Sequence, residues 1–291
     1  SERRTFRFAY HSPYLSRWRL DTNFFLERAY RFEGPQLIEE TGQESFPFTD
    51  RTWTFTAQQN RPVRDELNLQ WSYTFKRVAT EIDDPSDFFD TVFTENRSIL
   101  TGAVIGDFRD SVVDPARGSL WNVTVQAAPE ALGSDLRFTK LYGQLFTYLG
   151  LPRGIVWAGG YRLGLANAFD QRLTLDDGFR AGGPNSVRAF AQDSLGPVDE
   201  LGPKGGAGLL VVNQELRFPF HRRLSGVSFY DVGNAFDKAS DIRLTELRHA
   251  AGVGLRIRLN FGLIRFDLAR VLDLREGERP WRFVFSIGHA Y

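Results

Sequence analysis

The sequence predicts an all-β chain folded as a transmembrane antiparallel β-barrel. Three observations carry that expectation. Short segments alternate apolar and polar residues along most of the 291 residues, and the connections between them switch between tight turns and long polar loops. Aromatic residues make up 14% of the chain, with 26 Phe, 9 Tyr and 6 Trp. Alternation at a period of two puts one set of side chains on each face of a strand. In a barrel wall, one face meets lipid and the other meets the lumen, and aromatic girdles at the membrane boundaries explain the aromatic load. A large soluble core is the competing account of the same composition.

The first segment, residues 5–11, alternates and stops at the turn Ser12-Pro13-Tyr14-Leu15. Residues 17–31 form a long strand with Leu20, Thr22, Phe24 and Leu26 on one face and Arg19, Asp21, Asn23 and Phe25 on the other. A polar loop (33–47), a strand (52–60) and a turn at Arg61-Pro62-Val63-Arg64-Asp65 follow. Residues 67–75 give the cleanest pattern: Leu67, Leu69, Trp71, Tyr73 and Phe75 oppose Asn68, Gln70, Ser72, Thr74 and Lys76. A half-buried soluble strand alternates in the same way. Large residues at every outward position, against polar ones at every inward position, suit a wall between lipid and water better.

After an acidic loop (79–93), a strand covers 96–108, and residues 109–118 turn the chain through Asp114-Pro115 and a closing Gly118. Strands are expected at 120–128, 138–149 and 155–166, then at 208–218 and 226–236. Further on, Val253, Leu255, Ile257 and Leu259 oppose Gly252, Gly254, Arg256 and Arg258, and Ile264, Phe266 and Leu268 oppose Arg265, Asp267 and Ala269. The chain closes with Trp281, Phe283, Phe285, Ile287, His289 and Tyr291 alternating with Arg282, Val284, Ser286, Gly288 and Ala290. The total is about thirteen strands of membrane-crossing length. Arginines and aspartates opposite the apolar stripes would line the lumen.

Several function classes find no support. No run of about 18 apolar residues is present to form a transmembrane helix, a test that does not see barrels. Lys+Arg and Asp+Glu are both 36, which gives no footprint for nucleic acid. Cysteine is absent, so disulfides, thiolate metal sites and cysteine nucleophiles are excluded. His11, His221, His249 and His289 are scattered without metal-ligand spacing. No Gly-x-Ser-x-Gly elbow or phosphate-binding glycine loop occurs. The reading is therefore of a non-enzyme with no catalytic residue, metal or cofactor. Asp83-Asp84 and Asp176-Asp177 read as solvated acidic surface.

The longest region without strand pattern, 167–206, contains Phe179-Arg180-Ala181-Gly182-Gly183-Pro184-Asn185-Ser186-Val187-Arg188-Ala189-Phe190. The paired glycines permit positive φ and the proline removes a donor, so this stretch cannot continue a strand. Arg188 lies between apolar anchors, which favours an ordered, packed loop.

This stretch resembles the inner-loop signature of the outer-membrane assembly and translocation barrels. That family includes BamA, TamA, the two-partner secretion transporters and the bacterial surface antigen relatives. Gly182-Gly183 and Ser186-Val187-Arg188 match, and Phe190 supplies the aromatic, while Ala189 stands where the family has glycine. Other motifs follow in order: Asp114-Pro115-Ala116-Arg117-Gly118, Phe229-Tyr230-Asp231-Val232-Gly233-Asn234, Gly252-x-Gly254, Arg265-Phe266-Asp267-Leu268-Ala269, and a terminal aromatic strand with Gly288.

A guanidinium inside a barrel needs a carboxylate. The expected partner of Arg188 is Asp231, in a bidentate pair. In the family this contact pins the inner loop to the lumen wall, and the resemblance implies that Phe229 packs beside it with Gly252 and Gly254 leaving room. The resemblance also implies a barrel of about sixteen strands behind periplasmic POTRA domains. Residues 5–15 look like its fourth strand and following turn, so the chain is expected to be a fragment lacking the POTRA domains and first strands; a split protein is the alternative. The implied function is insertion of other outer-membrane proteins, or translocation of polypeptides, at a bacterial outer membrane. Trp281, Phe283, Phe285, Ile287, Gly288 and Tyr291 would form one edge of a lateral seam. Expected partners are outer-membrane lipid, unfolded clients, a POTRA-bearing segment and accessory lipoproteins. A two-partner secretion pore, the anchor of a larger protein and a passive channel remain open.

Overall fold

A membrane-spanning wall must satisfy its backbone amides internally, and an antiparallel meander does so strand by strand. The computed structural model describes residues 2–13, 20–33, 48–82, 91–169, 173, 177–199, 202–259 and 262–288. Its strands are β1 (Glu2–Ser12), β2 (Asp21–Glu33), β3 (Phe48–Arg64), β4 (Leu67–Ile82), β5 (Thr91–Asp107), β6 (Gly118–Ala128), β7 (Phe138–Gly150) and β8 (Val156–Ala168). Two short ones follow, β9 (Val198–Asp199) and β10 (Gly202–Pro203). The last five are β11 (Gly208–His221), β12 (Leu224–Phe236), β13 (Arg248–Leu259), β14 (Gly262–Val271) and β15 (Trp281–Ile287).

All but β9 and β10 form one 13-stranded sheet in chain order, with β8 beside β11. Every described ladder is antiparallel, for example Leu210↔Leu163 and Asp231↔Asn213. β9 and β10 pair with each other inside the long loop between β8 and β11. Among the described residues no ladder joins β1 to β15.

The two faces invert the pattern of a soluble domain. Outward residues are large and apolar: Phe283 is 66% exposed and Val253 59%. Inward residues on β13, and on β14 beside it, are charged and buried, with Arg256 at 2% and Asp267 at 0%. Tyr10, Phe24 and Phe55 stack across β1–β3 on the outside, at 6.4 and 6.5 Å between centroids. Among the described residues the larger buried apolar cluster lies in the lumen, where Phe179, Val187, Phe190 and Leu195 of the long loop meet Phe229, Ala250, Ala269 and Val271 of the wall.

Each segment read as a strand in the sequence is a strand, but several run further. β3 extends through Arg64 with a bulge near Pro62, where a turn was expected, and the reversal shrinks to Asp65-Glu66. β4 and β5 continue to Ile82 and from Thr91, into what reads as an acidic loop. Cross-strand polar pairs hold these extensions together: Thr80 Oγ1 donates to Asp50 at 2.6 Å and Arg51 pairs with Glu81 at 2.8 Å. Residues 17–19 at the start of the second segment lie outside the described residues, as do His289 and Tyr291 at the end of the last.

Gly118, which closes the Asp114-Pro115 turn, has φ +96°, and a Cβ there would run into the Phe108 carbonyl. Gly133 has φ +77° but open space around it. Gly133→Ala is expected to cost only the left-handed backbone strain, about 1–2 kcal/mol. Gly118→Ala should cost clearly more, about 3 kcal/mol, because overpacking adds to the strain. Urea unfolding in micelles checks the order, and equal losses at the two sites would contradict it.

Candidate functional site

The long loop is shaped by its own hydrogen bonds before it meets the wall. Phe179 bridges Gly206 and Ala181 bridges Leu195, so the loop doubles back. At its tip Gly182 and Gly183 both have φ +98°. The Gly182 amide donates to Ser186 Oγ at 3.2 Å and the Phe190 amide to the Val187 carbonyl at 3.1 Å. Ala189, where the family pattern has glycine, is buried and is not among the residues of positive φ. The turn after the arginine therefore needs no glycine. Val187 and Phe190 are buried in the lumen cluster, and Arg188 between them is directed at the wall.

Arg188 is 1% exposed and makes a bidentate contact with Asp231 of β12: Nε donates to Oδ2 at 2.7 Å and Nη2 to Oδ1 at 2.8 Å. Its Nη1 donates to Glu215 of β11 at 2.9 Å. The guanidinium lies 3.4 Å from the Phe229 ring centroid, a cation–π contact in a desolvated site. Phe229 occupies the space opposite Gly252, where a Cβ would strike its ring tip. Gly254 instead makes room for the Asp267 carboxylate and the Arg256 guanidinium. Of the sequence-selected wall residues, the structure brings Phe229 and Asp231 directly to Arg188; Gly252 and Gly254 shape the surroundings.

The carboxylates are shared. Glu215 also accepts from Arg217 Nε at 2.9 Å and Arg256 Nη2 at 3.1 Å, and Asp267 accepts from Arg256 Nη1 at 2.6 Å. Asn213 donates to both Asp231 Oδ1 and the Ser186 carbonyl at 2.7 Å. Arg265 of β14 donates to Asn185 Oδ1 at 3.0 Å and the Pro184 carbonyl at 3.3 Å. Three strands, β11, β12 and β14, thus hold one loop tip through hydrogen bonds that are nearly all charge-assisted, and Arg256 of β13 braces the carboxylates from behind.

A scan of family models matches the Omp85 superfamily domain over residues 1–291. The chain belongs to the Omp85 superfamily. Among curated relatives, "Sorting and assembly machinery component 50 homolog A" of Xenopus laevis is 25% identical over 298 residues, covering 95% of this chain and 60% of the relative. The Homo sapiens homologue is 26% identical over 289 residues with the same coverage, 95% and 60%. The chain therefore spans about 60% of the length of these relatives. Among solved structures, BamA from Haemophilus ducreyi lacking POTRA domains 1-3 superposes with TM-score 0.79 at 16% identity, covering 98% of this chain and 62% of that one. CdiB from Acinetobacter baumannii gives TM-score 0.64 at 14% identity, covering 98% and 50%. These likenesses fix the fold, an all-β barrel sheet of the BamA type.

In this Omp85 chain the loop meets the wall at two further places. Asp177 pairs with buried Arg97 of β5, and Lys140 donates to the Asp177 carbonyl at 2.7 Å. Phe179 lies 4.3 Å from the Lys140 ammonium and stacks on Tyr142. Asp177 is therefore a lumen ion-pair partner and not solvated surface, because the loop folds inward; Asp176, Asp83 and Asp84 lie outside the described residues. At the rim, Arg248 of β13 stacks over Phe190 at 4.6 Å. It also donates to Asp273 at 2.6 Å and to both oxygens of Glu278 at 2.8 and 2.7 Å, in the β14–β15 loop.

The terminal-strand residues behave differently. Trp281, Phe283, Phe285 and Ile287 face outward, between 52% and 66% exposed. Gly288 has φ +125° and its amide donates to the Leu263 carbonyl at 2.8 Å. Tyr291 lies outside the described residues. None of these touches Arg188.

Sequence reasoning missed Glu215, Arg217 and Asn213. The signal was available: Asn213, Glu215 and Arg217 alternate with Val212, Gln214 and Leu216 on β11, which puts three polar groups on the lumen face. Among the described residues no group of three His, Cys, Asp or Glu side chains could hold a metal.

Two expectations follow. Asp231→Asn leaves the Arg188 guanidinium buried with half its partner charge gone and should destabilise the barrel by about 3–5 kcal/mol. The double variant Arg188→Ala/Asp231→Ala should lose less than the two single alanine variants summed. Additive losses in urea unfolding would refute the coupling.

The second concerns the rim. The hydrogen bonds from Arg248 hold the Glu278 carboxyl below its ordinary range against the opposing effect of burial. Burial would raise Asp273, but the His249 amide and Arg248 outweigh it and leave it lowered. A carboxylate lowered on folding contributes stability above its ordinary pKa, about 4, and loses it as pH falls through the lower folded value. Amide protection factors across residues 272–280, corrected for intrinsic exchange, should hold from about pH 7 to 5 and fall below about pH 4. Arg248→Gln should remove that dependence.

Proposed function

We propose that this chain is the barrel of an outer-membrane machine that inserts other β-barrel proteins, and that Arg188 pins its inner loop for that purpose. The observation that carries the reading is the Arg188 contact set on β11 and β12, continued through Arg256 and Arg265 into β13 and β14. Such a set makes the strands leading to β15 one stiff body. β15 can then offer a strand edge without the neighbouring wall giving way, and a client strand would add to that edge by β-augmentation. Membership of the superfamily and the assembly role in the names of the vertebrate relatives support the reading. On it, the lateral seam involves Trp281, Phe283, Phe285, Ile287, Gly288 and Tyr291. The partners are membrane lipid, unfolded barrel clients, a POTRA-bearing segment and accessory lipoproteins. The bacterial outer membrane of the sequence motifs is kept as part of the proposal, beside sequence relatives from vertebrates and structural ones from bacteria.

One observation favours a second reading. The loop packs an apolar cluster against the lumen face of the wall, as a plug in a secretion pore would.

One reconstitution separates them. The full-length protein in liposomes is given a urea-denatured barrel client, and folding is followed by gel shift. The assembly reading expects faster client folding, lowered roughly tenfold or more in Asp231→Asn, because losing a buried charge partner costs more than the roughly 1.4 kcal/mol that a factor of ten represents. Planar-bilayer current that rises sharply in Arg188→Ala, with no effect on client folding by the unmodified protein, would sink assembly and leave the pore.

A further inference from the structure

Beside the inner loop, the chain forms a basic cavity outside the Arg188 network. It has a volume of about 470 Å³ and lies between the inner loop from Ala189 to Val198 and the β14–β15 loop. Arg248, Arg275, Arg279 and Arg282 line it with a single acidic residue, Glu278. Arg282 pairs in register with fully buried Ala269, so it points to the lumen side of β15. Phe190 supplies part of the apolar floor.

The charge in this cavity is unbalanced by construction. Both Glu278 oxygens accept from Arg248, and one also accepts from the Arg275 amide at 2.9 Å, which uses up the only lining carboxylate. Asp273 is engaged by the same Arg248 and by the His249 amide at 3.0 Å. Among the described residues, the guanidiniums of Arg275, Arg279 and Arg282 make no ion pair. Deeper in the lumen every arginine of the network has a carboxylate or carbonyl partner, so three guanidiniums gathered in one cavity without an ion pair stand apart from that network.

We propose that this cavity binds a phosphorylated anion. Guanidinium forks match phosphate oxygens in bidentate geometry, and several forks together suit a group of more than one negative charge. The volume falls in the range of small-molecule sites, which fits a headgroup or free phosphate better than an extended acidic peptide. The apolar floor at Phe190 would cover the non-polar part of such a ligand. Because Arg248 contacts both Phe190 and the β14–β15 loop, the bound anion would bridge the inner loop and the last hairpin.

The test uses the full chain in neutral detergent, titrated calorimetrically with inorganic pyrophosphate and with a short-chain phosphatidate. Saturable binding is expected, weakened roughly tenfold or more in Arg279→Gln/Arg282→Gln as charge-assisted contacts are lost. Both residues are exposed and outside the buried network, and unchanged gel mobility of the folded band confirms that the variant is intact. Arg222→Gln/Arg223→Gln, at the opposite end of the sheet, should bind as the unmodified protein does. Tighter pyrophosphate binding identifies free phosphate as the source, and tighter phosphatidate binding identifies a lipid headgroup. No saturable binding of either probe, equal weakening in both double variants, or tighter binding of an oligoglutamate peptide overturns the proposal.

Discussion

A guanidinium as buried as that of Arg188 cannot be left bare, and that constraint governs the C-terminal half of the sheet. Arg188 arrives on a loop, so its partners must come from the wall. Asp231 on β12 and Glu215 on β11 meet it, but two carboxylates close together repel unless other cations share them. Arg217 and Arg256 on Glu215, and Arg256 on Asp267, fill that need. Register then fixes the rest: Asp231 stands opposite Asn213, Phe229 opposite Glu215 on one side and Gly252 on the other. A one-residue slip of β12 would turn Asp231 to the lipid side and Tyr230 to the lumen. The network therefore specifies register as well as holding the loop.

The hydrophobic effect acts here in an unusual place. Outward side chains such as Leu255 and Phe285 stay exposed and gain nothing by contact with one another once lipid surrounds them. Among the described residues, the larger burial of apolar surface occurs where Phe179, Val187 and Phe190 enter the lumen, with a smaller cluster at Phe146, Tyr148 and Ala158. The loop is thus the closest thing the chain has to a core, and its apolar residues alternate with the charged ones that the wall holds. Packing and ion pairing support the same stretch, residues 177–199 of the loop.

Much of this was legible in the sequence, for identifiable reasons. Alternation at a period of two located every strand of the sheet, because lipid and lumen impose opposite chemistry on neighbouring residues. Gly182-Gly183 marked the loop tip, since few other residues reach its backbone conformation. Asp231 could be singled out because it sits among apolar neighbours on an inward face. Glu215 could not be matched to Arg188 from sequence, because that contact depends on which side of β12 the β11 strand lies. Asp177 was misread for a related reason: an acidic pair in a loop looks solvated until the loop is known to fold inward onto Arg97. Strand ends were misjudged because β3–β5 continue as polar ladders, where alternation of hydrophobicity fades but hydrogen bonding does not.

The inner loop touches the wall in three places of unequal strength, and their order has mechanical meaning. Arg188 is sealed from solvent and shares its charge over β11 and β12 with support from β13 and β14. Arg97 with Asp177 is nearly as buried on the opposite side of the loop. Arg248 is also covered, but Asp273 and Glu278 are about a third exposed, at 32% and 28%. Ion pairs weaken as solvent and salt reach them, so the rim contact is the easiest to release. If β15 is ever to part from its surroundings, the β14–β15 loop can let go of Arg248 while the Arg188 set keeps β11 to β14 together. The distribution of burial along one loop thus separates a firm hinge body from a looser last hairpin, with no special flexibility required of the backbone.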